Sequence, residues 1–350
     1  MHPLSAADAV MAAIHRTKVF LFRPFSWGTY LKLGLVAIIT EGIGDNFHSS
    51  THGGSSSGQG PTVNSPLHLA PEWITLIAAA VLAAIVLSLL VFYLITRLRF
   101  AFFHCLIHNT REIRPGWRLY RAQAMRFFWL NVVAGICFML LVVLAALPFV
   151  AGLWQVIHET QTGGHPNLGL VLSLVLPMIP IILLLALVAL MADLILRDWI
   201  LPHFALDNAT AGRAWNQVWA RIKAEKRQFL VYSLLRIVLP IVALIGLFIV
   251  LLIPGLILAG SVAAAEFGLH SAFAGSTGAS AVIGVVLEVF FGVLAFAIAV
   301  LAGICLGGPL STGIREYALI FYGGRYQALG DALYPPPPPA PLETASPEFA

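Results

Sequence analysis

The chain has 350 residues, of which 59% are hydrophobic and 10% are charged. Soluble domains carry about 25% charged residues, and a mean hydropathy of +0.89 excludes a water-soluble fold of this size. The net charge of +4 and the pI of about 9.1 would suit nucleic-acid binding. However, the basic residues flank the apolar runs, as membrane topology requires. We therefore predict an all-α integral membrane protein that binds no nucleic acid.

Six apolar segments follow one another in a polytopic membrane domain predicted over residues 1–333. The predicted spans lie at about 29–47, 73–96, 128–152, 168–196, 228–254 and 281–308. The last five can each cross a core of roughly 30 Å at about 1.5 Å per residue. The first is the weakest, because Lys32 lies near one end and Glu41 and Asp45 near the other. Whether it crosses fully or re-enters stays open.

The remaining segments differ in composition. Residues 48–66 are rich in Ser, Gly and Thr, which is typical of a flexible loop. Residues 255–275 are apolar but interrupted by Glu266 and His270, so we expect them to lie in the interface or to re-enter. Residues 334–350 form a Pro-rich tail, which we expect to be disordered and cytoplasmic.

The 20 Lys and Arg residues fall into four groups. They precede or open span one, lie between spans two and three, surround the connection between spans four and five, and follow span six. The other three connections carry none. This positive-inside pattern predicts a multi-pass protein of a bacterial cytoplasmic (inner) membrane with an even number of spans and both termini in the cytoplasm.

Each odd-numbered span follows an amphipathic stretch that ends in a base and then aromatics. The junctions read Arg23-Pro-Phe-Ser-Trp27, Arg126-Phe-Phe-Trp129 and Arg227-Gln-Phe229. The stretch before span five has i, i+3, i+4, i+7 spacing, typical of one apolar helix face, at Trp215, Val218, Trp219 and Ile222. The stretch before span three repeats this pattern at Trp117, Tyr120, Ala124 and Phe127. A weaker version precedes span one at Val10, Ile14 and Thr17, where Ser5 and Asp8 fit a capping pair.

The even-numbered spans also end alike. Arg197-Asp198-Trp199 matches Arg315-Glu316-Tyr317. At an offset of 99, the residues that agree are Phe100, His104, Asn109 and Arg114 with Trp199, His203, Asn208 and Arg213. We predict three repeats of an amphipathic helix plus a helical hairpin, which gives six transmembrane helices and three helices on the cytoplasmic face.

The segments Phe22–Gly34 and Ala205–Trp215 resemble uncharacterised bacterial six-span membrane proteins. These are similar in layout to the membrane domain attached to some glycerophosphodiester phosphodiesterases. The resemblance covers about residues 5–333 and implies an architecture. Phosphodiesterase chemistry in the fused proteins belongs to a separate soluble domain that this chain lacks, so the resemblance implies no catalytic residues here.

Three ionisable residues lie inside predicted spans. Asp193 is near the cytoplasmic end of span four, and Arg236 lies roughly 12 Å into span five. These two could pair as a structural ion pair, or Arg236 could reach the interface. Glu288 is near the outer end of span six, where it could face a water-filled cavity or form a hydrogen bond between helices. Intramembrane charges are functional candidates by default.

No pattern indicates catalysis, a cofactor or a metal site. His104 and His108 would share a helix face but lack a third ligand. No P-loop and no G-x-S-x-G motif occurs. Gly303, Gly307 and Gly308 favour close helix packing instead.

Two functions remain open. The first is a non-enzymatic scaffold whose basic amphipathic helices lie on anionic lipid at the cytoplasmic face, with a membrane or soluble protein as a further partner. The alternative is a transporter of ions or small solutes that uses Glu288, Asp193 and Arg236 in helices broken by proline. A lipid enzyme is less favoured, because Asp, His and Ser do not cluster at one depth.

Overall fold

The computed structural model describes residues 4–43, 71–161, 168–273 and 279–335, and every regular element in these ranges is a helix. The α-helices are α1 (Asp8–Phe22), α2 (Trp27–Ile38), α3 (Pro71–Ile107), α4 (Ile113–Leu119), α5 (Arg121–Gln161), α6 (Leu168–Leu194), α7 (Leu201–Leu206), α8 (Ala211–Ala224), α9 (Lys226–Phe273), α10 (Ala279–Gly323) and α11 (Gln327–Leu333). Two π-helical segments, Ile39–Ile43 and Ile195–Ile200, extend α2 and connect α6 to α7.

Five helical stretches in the described ranges are long and apolar enough to cross a membrane. They are Thr75–Ile107, Arg121–Val156, Leu172–Leu206, Lys226–Phe273 and Val282–Gly323. The predicted first span is not among them. Its described part is α2 and the π-helical segment that follows, while residues 44–47 lie outside the described residues, as do the predicted loop at 48–66 and most of the predicted tail. A sixth span therefore stays a prediction.

The helices extend well beyond the predicted span boundaries. Helix α9 has 48 residues and continues through Pro254 to Phe273, so the stretch that we expect to lie in the interface or to re-enter is a continuation of the same helix. Glycine and serine are weak helix formers in water. In an apolar environment the backbone has no partner except itself, so the helix continues through such residues.

The buried side chains gather at one end of the helices, which we call the packed end. There, residues Phe100–Phe103 of α3 and Tyr317–Tyr322 of α10 are buried, together with parts of α1, α2, α5, α7 and α9. The most apolar stretch of each long helix is instead exposed to the surroundings of the protein. Long-range packing is therefore concentrated at one end, and the apolar spans project from it.

Helix α2 docks on α10 through glycine. A Cβ atom on Gly308 would lie 2.6 Å from the Cα atom of Gly34, and one on Gly307 would lie 3.1 Å from Cδ1 of Ile38. The predicted close packing at these two glycines is confirmed, whereas Gly303 has nothing within 4 Å. Backbones approach this closely only where no side chain intervenes.

Helix α8 buries only part of the apolar face that the sequence spacing predicts. Ala214 and Val218 are buried, whereas Trp215 and Trp219 are each 46% exposed. The two indoles stack with ring centroids 6.3 Å apart. Of the predicted apolar face, Val218 packs against the protein and the two tryptophans are exposed beside it, so only part of that face is buried.

Helix α1 and the helix ends match several sequence details. Ser5 Oγ donates to Asp8 Oδ2 at 2.6 Å and accepts from the Asp8 backbone N–H at 3.2 Å, so the capping pair is confirmed. Asn109 and Asn208, matched at the offset of 99, both have positive φ, 51° and 50°. Asparagine tolerates this left-handed conformation where a helix ends. The repeat as a whole stays a prediction.

Candidate functional site

Five ionisable side chains meet inside the packed end. We call Glu41, Arg197, Asp198, Arg236 and Arg315 the ionic cluster. They come from four elements: the two π-helical segments, α9 and α10. Single π-helical turns within long helices are frequent at functional sites, and both such segments here contribute to the same cluster.

Glu41 binds arginines from three different elements. Its Oε2 atom lies 2.6 Å from Arg197 Nη2 and 3.2 Å from Arg236 Nη2. Its Oε1 atom lies 4.0 Å from Arg315 Nε. Arg197 also donates to the backbone carbonyl of Glu41 at 3.0 Å. A single carboxylate thus connects α2, through its π-helical extension, to the ends of three later helices.

Asp198 occupies the second half of the cluster. Its Oδ2 atom accepts from Arg236 Nε at 3.0 Å and from the hydroxyl of Tyr232 at 2.8 Å, and its Oδ1 atom accepts from Arg315 Nη1 at 3.0 Å. Arg315 Nη1 also donates to the carbonyl of Arg197 at 2.9 Å. Both carboxylate oxygens therefore have charged donors, which is what a buried carboxylate requires.

The cluster is buried and close to neutral. Four of its side chains are 6% exposed or less, and Arg236 is 14% exposed. Asp193, on the rim and 44% exposed, lies 3.0 Å from Arg197 Nη1 and balances the third arginine. Removing one partner of such a group strands a buried charge, at a cost of roughly 3–5 kcal/mol. The cluster therefore acts as a cross-link between helices.

A separate ion pair joins the two chain ends. Arg16 Nε of α1 lies 3.1 Å from Glu316 Oε2 of α10, whose side chain is fully buried. Arg16 also donates to the carbonyl of Leu106 in α3 at 2.7 Å. The two matching exit sequences, Arg197-Asp198 and Arg315-Glu316, thus both supply buried charges to the packed end.

A second polar group lies between α7, α8 and α10. His203 Nε2 lies 2.8 Å from the hydroxyl of Tyr322, and Arg221 Nη1 lies 3.5 Å from the same nitrogen. The ring of Tyr326 packs against His203 at a tilt of 42°, with 4.2 Å between centroids, and Arg221 lies over the Tyr326 ring at 5.1 Å. Burial raises the pKa of Tyr326 above its usual range, so this phenol stays neutral. The group fixes α8 to the end of α10.

The structure does not bring the three predicted intramembrane residues together. Arg236 belongs to the ionic cluster, where it binds Asp198 and Glu41 rather than Asp193. Asp193 pairs with Arg197, one turn away. Glu288 lies 3.4 Å from His270 Nδ1, and it is separated from Arg315 on the same helix by roughly 40 Å at the α-helical rise.

Sequence reasoning missed four members of the cluster. Glu41 was read as a weakness of span one, and Arg197, Asp198 and Arg315 as flanking charges. One feature of the sequence could have identified these residues: acidic and basic side chains occur within one helical turn of each other at the ends of several predicted spans. That signal does not tell which charges face inward, because the π-helical segments shift the helical phase. Among the described residues, no group of three or more His, Cys, Asp and Glu residues is arranged to hold a metal ion.

The fold and the cluster define a class of protein: a multi-pass α-helical membrane protein whose helices are joined at one end by buried charges. Residues 4–332 match a family of unknown function, DUF7544, and the chain belongs to this family. No curated protein and no solved structure matches the chain. The predicted likeness to the membrane domain of glycerophosphodiester phosphodiesterases therefore has no support from these comparisons.

Proposed function

We propose that the protein is a non-enzymatic membrane scaffold that binds another membrane protein along the outer part of α9 and α10. We call residues 255–273 and 279–300 the outer hairpin. The proposal depends chiefly on one observation, which is that this hairpin is longer and more apolar than a bilayer requires.

The lengths support a protein partner. Helix α9 has 48 residues and α10 has 45, which is roughly 70 Å each at the α-helical rise. A hydrocarbon core is only about 30 Å thick. The only ionisable residues in the outer hairpin are Glu266, His270 and Glu288, and large side chains such as Phe267 are exposed. Apolar surface on this scale marks an interaction site.

The charge pattern supports an orientation with the packed end at the cytoplasmic face of the membrane. We propose six spans in the inner membrane of a bacterium, arranged as three repeats. The exposed pair of Trp215 and Trp219 on α8 suits a helix lying at the membrane interface on anionic lipid, and Lys223 lies 5.7 Å from the Trp219 ring.

Native mass spectrometry on the protein released gently from its own membrane tests the scaffold function. We expect a stoichiometric protein companion. In addition, Phe267→Ala in the outer hairpin should lower companion occupancy several-fold, because exposed aromatics dominate interface energies. The matched control is Phe248→Ala on the same helix, nearer the packed end, which should retain the companion. Release of the chain with lipids only would contradict the proposal.

Reporter fusions at residues 58 and 162 test the topology. The six-span arrangement places both positions on the outer side. A cytoplasmic signal at residue 58 would mean that the first segment does not cross, and the chain would then have five spans.

Transport remains the alternative proposal, with Glu288 as the group to test. The pair of Glu288 with the 80%-exposed His270 is the only observation that favours it, because Arg236 and Asp193 already bind other residues. Glu288→Gln should leave growth and solute flux unchanged if the protein is a scaffold, and a loss of flux would favour transport.

A further inference from the structure

A groove of about 380 Å³ lies where α1, α9 and α10 meet at the packed end. This volume falls in the range of roughly 300–1,000 Å³ that is usual for sites of small ligands. Its walls are mostly apolar and include Leu239 and Ala243 of α9 and Leu310 of α10. The dimensions and the walls suit part of an amphiphile.

Two hydroxyl groups in this groove have no partner. Thr17 and Tyr317 both line it, and their side chains are more than nine-tenths buried. Neither Thr17 Oγ1 nor the Tyr317 hydroxyl has a hydrogen-bond partner in residues 4–43, 71–161, 168–273 and 279–335. A buried hydroxyl without a partner is costly, roughly 1–3 kcal/mol. Both oxygens are closed to solvent as the side chains stand, and Thr17 Oγ1 reaches an acceptor in the groove by rotation of its side chain.

The rim of the groove carries a positive charge. Lys18 lines the groove, is exposed, and forms no ion pair with any residue that the structure describes. The exposed apolar side chains of Ile14 and Phe22 lie on the same rim. A cation beside an apolar groove is complementary to a lipid that has an anionic headgroup and a hydrocarbon chain.

We propose that this groove binds one anionic phospholipid of the bilayer. An acyl chain lies against Leu239, Ala243 and Leu310, the hydroxyl of Thr17 rotates to donate to an ester carbonyl, and the phosphate lies at Lys18. The inference goes beyond the scaffold function and depends on it only in placing the packed end in a membrane.

Gly313 shows that the groove can be narrowed without disturbing the helices. A Cβ atom on Gly313 would lie 3.6 Å from Thr17 Oγ1, an ordinary contact distance. Gly313→Ala should therefore fold normally, whereas Ala243→Phe, on the partly exposed opposite wall, should fill the groove with an aromatic ring.

The test uses the purified full-length chain in detergent with equal amounts of phosphatidylglycerol and phosphatidylcholine, analysed by native mass spectrometry. Wild type should retain one phosphatidylglycerol in preference to phosphatidylcholine. Lys18→Glu and Ala243→Phe should each lower that occupancy about tenfold. The first variant removes a charged hydrogen bond to the phosphate, and the second fills the space of the acyl chain. The controls Lys32→Glu, on α2, and Ala259→Phe, outside the groove, should retain it.

Thr17→Val provides a second measurement that does not depend on charge. It removes the unpartnered hydroxyl and keeps the shape, so the lipid-free protein should melt at a higher temperature while added phosphatidylglycerol raises its melting temperature less than in wild type. Equal retention of both lipids by wild type, or equal occupancy in all variants, would overturn the proposal. Either result leaves the search for a protein companion unaffected.

Discussion

The packed end and the outer hairpin of the molecule use opposite means of stability. At the packed end, buried charges from distant parts of the chain fix the positions of the helices. In the outer hairpin, α9 and α10 lie side by side, and their apolar side chains are exposed. The packed end therefore fixes the arrangement of the helices, while the outer hairpin provides an exposed apolar surface. This division suits a protein that holds others in the membrane better than one that moves solutes through itself.

The largest expected effect comes from breaking the ionic cluster. Asp198→Ala leaves Arg236 and Arg315 buried without their shared carboxylate, so we expect a loss of roughly 3–5 kcal/mol in the free energy of unfolding. Unfolding monitored in detergent micelles measures it. The matched control is Asp193→Ala, which should cost about 1 kcal/mol or less, because Asp193 is 44% exposed and Arg197 keeps its contact with Glu41.

A double variant sharpens this prediction. Asp198→Leu with Arg236→Met replaces a charge pair by apolar residues of similar size, and such replacements are often neutral. We expect the double variant to be more stable than either single one. If the double variant loses the sum of both single effects, the charges are not coupled as the structure indicates.

A smaller effect is expected at the contact of α2 with α10. Gly308→Ala would bring a Cβ atom within 2.6 Å of Gly34 Cα, so the helices must separate. Overpacking of this kind lowers the free energy of unfolding by about 1–3 kcal/mol. Gly303→Ala, where nothing lies within 4 Å, is the control and should be neutral or slightly stabilising. Thermal unfolding of the two variants side by side measures the difference.

The smallest effect is expected in the outer hairpin. His270 is 80% exposed and its contact with Glu288 is long, at 3.4 Å. Exposed ion pairs contribute about 0–1 kcal/mol. His270→Ala should therefore leave the melting temperature nearly unchanged. A large loss of stability would show that the two regions are more alike than the structure indicates.

Composition was enough to predict long apolar helices, because the hydrophobic pattern alone decides them. The hydrophobic pattern could not predict which acidic residues bind Arg236. An α-helical register makes Asp193 the natural partner at the end of span four, but the π-helical segment Ile195–Ile200 turns Asp198 inward instead. Only part of the predicted apolar face of α8 is buried, for a related reason. Spacing shows which residues share a face, but the packing partner decides which part of that face is buried.

The contact between Gly34 and Gly308 also bears on how the chain is made. The first apolar segment carries Lys32 and Glu41, and it packs most closely against the last long helix. During synthesis, that partner emerges from the ribosome only after most of the chain has been translated. The first segment therefore completes its packing only after the C-terminal long helix has been made.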